Sequence, residues 1–95
     1  MQEQDIIELL LQRNGKGMDA LLLHYGPLMR YIIAPILQNP QDQEDCLSEV
    51  AMRVGEKIEH FTQARGSWKT WLTAITRTAA LNYTRDTHRD NSVED

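Results

Sequence analysis

One cysteine, one phenylalanine, three prolines and two tryptophans are all that the 95 residues hold of these types, and each scarcity excludes something. A single Cys46 cannot close an internal disulfide, which removes the staple-dependent secreted scaffolds and makes a reducing compartment the simpler reading. Its ordinary role is that of a small buried hydrophobe. No secretory leader is expected, because MQEQDIIELLLQR starts acidic and Glu8 interrupts its apolar stretch. No apolar run approaches the roughly 18 residues that read as a bilayer span. The chain is therefore expected to be cytoplasmic, with no membrane insertion. Catalytic signatures are equally scarce. His24, His60 and His88 lie far apart, none in an HExxH context, and Cys46 has no CxxC partner, so neither a metal nor a cofactor is expected. No glycine-rich phosphate loop and no serine elbow is present. The chain is too short for a deeply enclosed active site, and it is read as a non-enzyme.

What remains is 41% hydrophobic and 25% charged, with a formal charge of −4 and a pI near 5.3. Leu, Ile, Val and Phe make up 22 of the 95 residues, enough for one small core of marginal stability. An acidic average speaks against indiscriminate coating of nucleic acid. The average, however, hides a gradient. Residues 1–60 carry a balance of −5, whereas residues 61–90 set Arg65, Lys69, Arg77, Arg85 and Arg89 against Asp86 and Asp90, a balance of +3. Such asymmetry predicts two surfaces with different partners.

Periodicity is helical nearly throughout. Ile6, Leu9 and Leu10 form one stripe that Asn14-Gly15 is expected to stop. A second, strongly apolar segment from about Met18 to Ile36 is interrupted by Gly26-Pro27 and Pro35, where a kink or break is expected. Asn39-Pro40 starts a third helix, with Asn39 as cap, Pro40 in the first turn, and Asp42, Glu44 and Asp45 beside the positive helix end. In it Leu47, Val50, Ala51, Val54 and Ile58 face inward, while Asp45, Glu49, Met52, Arg53 and Glu56 face outward. Gly55 inside this helix costs roughly 1 kcal/mol relative to alanine. His60 to Gly66 reads as a loop, and Ser67 as the cap of a fourth helix with Trp68, Leu72, Ile75, Ala79 and Tyr83 in one stripe. The residues beyond Arg85 are polar and expected to fray. The fold class is all-α, a compact four-helix domain over residues 1–87 with a polar tail at 88–95.

Asp45 and Glu49 stand one turn apart, a spacing at which carboxylates can share a metal, yet a solvated face with Arg53 as partner is the stronger reading. The last third is more informative. FTQARGSWKTWLTAITRTAALNYTR interleaves Phe61, Trp68, Trp71 and Tyr83 with Arg65, Lys69, Arg77 and Arg85, which supplies phosphate partners and stacking faces together. Both tryptophans are also candidates for core filling. Thr73, Thr76, Thr78 and Asn82 add hydrogen-bonding groups.

The order EDCLSEVAMRV, EKIEHF and RGSWKTWLTAITRTAALNYTR closely resembles conserved region 2 of bacterial RNA polymerase sigma factors, most of all the extracytoplasmic-function group, from about Met18 to Arg85. The resemblance implies a transcription initiation domain that docks on the clamp helices of the polymerase beta-prime subunit and recognises and melts promoter minus-ten DNA, capturing the non-template strand. It implies a docking role for Asp45, Ser48, Glu49, Met52 and Arg53 of the third helix. It implies DNA contacts by Arg65, Trp68, Lys69, Trp71, Arg77, Thr78, Asn82 and Arg85, with Thr78, Asn82 and Tyr83 departing from the residues common at those positions. Gly55 stands where a tryptophan or another large side chain is usual, which implies either weaker docking or compensation by neighbours. An anti-sigma protein is a further possible partner. The family's second, helix-turn-helix domain is missing from these residues, so an isolated domain or a truncated protein, unable alone to direct specific transcription, is the expectation. The rival from another class is a helical protein-interaction module, such as an anti-sigma-binding one, without direct DNA contact.

Overall fold

The computed structural model describes the backbone of residues 2–63 and 66–94, with side chains up to residue 85 except at 62 and 63. Four helices follow one another: α1 (Glu3–Leu11), α2 (Gly15–Ile33), α3 (Pro40–Gln63) and α4 (Trp68–Glu94). Helix α1 packs on α2 and α3, α2 packs also on α3 and α4, and α3 lies along α4. Among the described residues there is no strand.

The helix starts form for the reasons the sequence gives. Asn39 Oδ1 accepts from the backbone N–H groups of Gln41 and Asp42 at 2.8 and 3.4 Å, and Ser67 Oγ accepts from Thr70 N–H at 3.1 Å. Each satisfies amide donors that a helix start leaves without partners. The inward stripe of α3 is fully realised: Leu47, Val50, Ala51, Val54 and Ile58 are all buried, together with Cys46. They meet Ile6, Ile7 and Leu10 of α1, Leu21, Met29 and Ile33 of α2, and Trp68, Leu72, Ala79 and Ala80 of α4 in one core.

Three expectations are corrected. Helix α2 ends at Ile33, just before Pro35, as expected, but it runs unbroken through Pro27. The proline removes the bond to the Leu23 carbonyl, but Pro27 and Leu23 both lie on the exposed side, where water replaces the lost donor. Helix α3 continues to Gln63, so His60 to Gln63 are helical rather than the start of a loop. Helix α4 likewise continues to Glu94, past the end expected after Arg85.

The stop of α1 is also placed differently. Arg13, not a glycine, takes the left-handed conformation at φ 58°. Its N–H donates to the Leu10 carbonyl at 3.1 Å, and Asn14 N–H donates to Leu9 at 3.0 Å, the crossed pair that closes a helix C-terminus. Asn14 then caps α2 by accepting from Lys16 N–H at 2.9 Å. Gly17 makes the α1–α2 approach possible, since a Cβ there would stand 2.9 Å from Leu10 N. From its unusual backbone position Arg13 donates to the Gly55 carbonyl and pairs with Glu59 at 3.7 Å. Beside Gly55 lies a small groove lined by Arg13, Met18 and Gly15. The α1–α2 turn thus holds the backbone at Gly55 and leaves the space beside it open.

Candidate nucleic-acid and polymerase-binding faces

Two faces are built on α3 and α4. Asp45, Ser48, Glu49 and Met52 recur at three- and four-residue spacing on α3. Asp45, Ser48 and Met52 are exposed, Met52 by 62%, and Glu49 is half-buried. Asp45 accepts from Gln41 Nε2 at 3.1 Å. Behind it Tyr83 Oη lies 3.2 Å from Asp42 and 3.5 Å from Asp45. Burial first, then the charges and hydrogen bonds of Asp42 and Asp45, push the Tyr83 phenol above its ordinary pKa. The hydroxyl therefore stays protonated as a donor that fastens α4 to the acidic start of α3. Tyr83 is a clamp between helices, not an open stacking face.

Arg53 joins the acidic group to the α4 side. It donates to Glu49 at 3.4 Å and, with Lys57, Trp71, Ile75 and Thr78, lines a cleft of about 230 Å³ between α3 and α4. Lys57 is absent from the sequence-predicted site. One turn after Arg53, its spacing could have marked it, but only the packing of α3 on α4 brings it beside Trp71.

The basic face runs along α4. Lys69, Thr73 and Arg77 share an open groove of about 430 Å³ with Ser67, Thr70 and Ala74. Ala74 lines both this groove and the cleft, so the two adjoin at that residue. Thr78 is exposed beside Arg77. Further along, Arg85 donates to the Asn82 side-chain oxygen, which joins those two predicted contacts into one unit. Arg65 lies outside the described residues.

The aromatic residues divide between core and surface. Trp68 is 1% exposed, with Tyr25 and Phe61 edge-on at 5.8 and 5.3 Å. It cannot offer a face to a base and is corrected to a core residue. Trp71 packs on Trp68 at 5.7 Å and on Phe61 at 5.2 Å, yet remains half-buried at the cleft. Trp68 thus supports Trp71 from beneath. Thr76 is also corrected: it is fully buried, and its hydroxyl donates to the Leu72 carbonyl at 2.8 Å, the back-bonding that a mid-helix threonine uses when water is out of reach.

Among the described residues no group of His, Cys, Asp and Glu could hold a metal ion, and no helix is long and apolar enough to cross a membrane. Fold and surface together define a helical binding module with an acidic and a basic aromatic face. The chain belongs to the Sigma-70 region 2 family, whose family model matches residues 21–90. It is accordingly a sigma factor domain of transcription initiation, a class that works through RNA polymerase core and promoter DNA and not by catalysis. Neither a curated protein nor a solved structure matches the chain significantly.

Proposed function

We propose that this domain docks on the beta-prime clamp helices of RNA polymerase through the acidic side of α3, and captures the unpaired non-template strand of minus-ten DNA on α4. The observation that carries the reading is the adjacency of two openings along α4. Lys69 and Arg77 supply two cations along one groove, and Ala74 borders both that groove and the cleft where Trp71 stands among Arg53, Lys57 and Thr78. Phosphates follow the cations while an unstacked base meets the indole.

This arrangement favours melting by rewarding only the open state. Extruding a base costs a few kcal/mol, and a site that binds it only when unpaired shifts the duplex towards the bubble by its differential affinity. Thr78, on the rim of the cleft, is placed to hydrogen-bond a base edge. The α3 face contributes differently. Exposed Asp45 and half-buried Glu49 steer the approach to a basic partner and fix its orientation more than they tighten binding, while Ser48 and Met52 supply the contact between them. Acting with RNA polymerase, the domain works in the cytoplasm.

The test has two arms. Binding to single-stranded minus-ten-like oligonucleotides is expected to fall with rising salt and to weaken in Arg77→Ala and Lys69→Ala. Binding to a clamp-helix fragment is expected to weaken in Asp45→Ala and Glu49→Ala. Salt-insensitive DNA binding that is equal in wild type and variants refutes the first role, and indifference of the fragment to both acidic substitutions refutes the second.

A further inference from the structure

Besides the Trp71 cleft, the α4 groove borders a second opening. Arg77 also lines a groove of about 330 Å³ whose other walls are Tyr31, Ile32, Pro35 and Ile36, from the end of α2 and the turn that follows. Tyr31 is 79% exposed, although its neighbour Ile33 is completely buried. Core packing therefore does not account for the ring. The lining is apolar apart from the phenol and one guanidinium, and none of its residues is acidic.

We infer that the Tyr31–Arg77 groove is a second nucleobase site, which receives a base of the same single strand after it leaves the α4 face. The inference rests on the proposed role of α4 in binding unpaired DNA. Continuity supports this occupant: Arg77 belongs to both grooves, so a phosphate held there leaves its neighbouring base beside Tyr31. The chemistry fits as well. A base offers a flat face to the tyrosine ring and to the Ile32, Pro35 and Ile36 surface, while its backbone supplies the anion that Arg77 needs. From Lys69 to Arg77 the helix rises about 12 Å, which at about 3.4 Å per stacked nucleotide corresponds to about three to four nucleotides. Strands longer than that reach Tyr31; shorter ones do not.

The probe is a series of fluorescein-labelled single-stranded oligodeoxynucleotides of one AT-rich sequence and increasing length, read by anisotropy with the intact chain. Wild type is expected to gain affinity with length. Tyr31→Ala should match it on the shortest strands and lose about tenfold on the longer ones, whereas Tyr31→Phe keeps the gain and Arg77→Ala weakens both. If wild type gains with length and Tyr31→Ala gains equally, the second site is refuted while the α4 reading stands. If Arg77→Ala and Lys69→Ala bind every strand as wild type does, the α4 reading itself fails. Loss of polymerase binding in Tyr31→Ala with oligonucleotide affinity unchanged also overturns the inference and assigns the groove to a protein partner.

Discussion

Replacing Gly55 by alanine should stabilise the domain, although glycine at this position departs from the pattern of the proteins the sequence resembles. A Cβ built at Gly55 meets only Met18 Sδ, at 3.5 Å, an ordinary contact with the end of a flexible side chain. The backbone there is α-helical, so alanine, which has less conformational freedom to lose on folding than glycine, gains about 0.5–1 kcal/mol. For a domain of this size that is a rise in Tm of about 2–8 °C. The Arg13 guanidinium bond to the Gly55 carbonyl involves the main chain and survives the substitution. Gly17 supplies the control. Its Cβ would stand 2.9 Å from Leu10 N and 3.0 Å from Leu9 C, both backbone atoms, so α1 must shift. Overpacking of this kind costs about 1–3 kcal/mol, which exceeds the small gain of alanine in a first helical turn. Urea titrations followed by circular dichroism and by tryptophan emission measure both variants. The reasoning is refuted if Gly55→Ala lowers the midpoint, or if Gly17→Ala raises it.

Three further outcomes follow from particular residues. Ser67→Ala removes the cap of α4 and should cost about 1 kcal/mol in the same titration, with Ser67→Asp close to wild type. Burial and the Glu49 charge, against a smaller opposite effect of Arg53, push the Cys46 thiol from 9.0 up to about 11. Because the folded chain holds the proton more tightly than the unfolded one, this contribution is complete below pH 9 and is lost as the pH rises towards 11; it amounts to roughly 2–3 kcal/mol. Urea midpoints should fall across that window and fall less in Cys46→Ala. Finally, each of Arg77→Ala and Lys69→Ala should reduce the slope of log affinity for single-stranded DNA against log salt by about 0.7. An unchanged slope means that the side chain does not meet a phosphate.

Local rules made much of this fold legible before any coordinates. Asn39 and Ser67 cap helices because a short polar side chain before an apolar period can do little else, and the Leu47 to Ile58 stripe is buried as its spacing predicts. Sequence and structure part where a neighbouring helix decides. Pro27 is tolerable because it and Leu23, whose carbonyl loses its donor, lie on the exposed side of α2, a matter of orientation and not of sequence. Arg13 adopts the left-handed position where its side chain reaches Gly55 and Glu59, on a helix far along the chain. The candidate site divides in the same way. Lys69 and Arg77 could be placed on one face by counting, whereas Trp68 and Trp71, three residues apart with similar chemistry, separate into core and surface only when α4 is laid against α3. Arg53 and Lys57 were similarly out of reach, since counting along α3 groups Arg53 with the acidic residues and only the packed pair turns it towards Trp71.

The central claim is that α4 rewards unpaired DNA, and the direct measurement compares single-stranded with duplex minus-ten-like DNA of one sequence at one salt concentration. The account predicts that the domain prefers the single strand, and that Trp71→Ala, verified as folded by circular dichroism, loses about tenfold on the single strand and little on the duplex. Equal affinity for the two forms, or a single-strand affinity that does not change in Trp71→Ala, would contradict it.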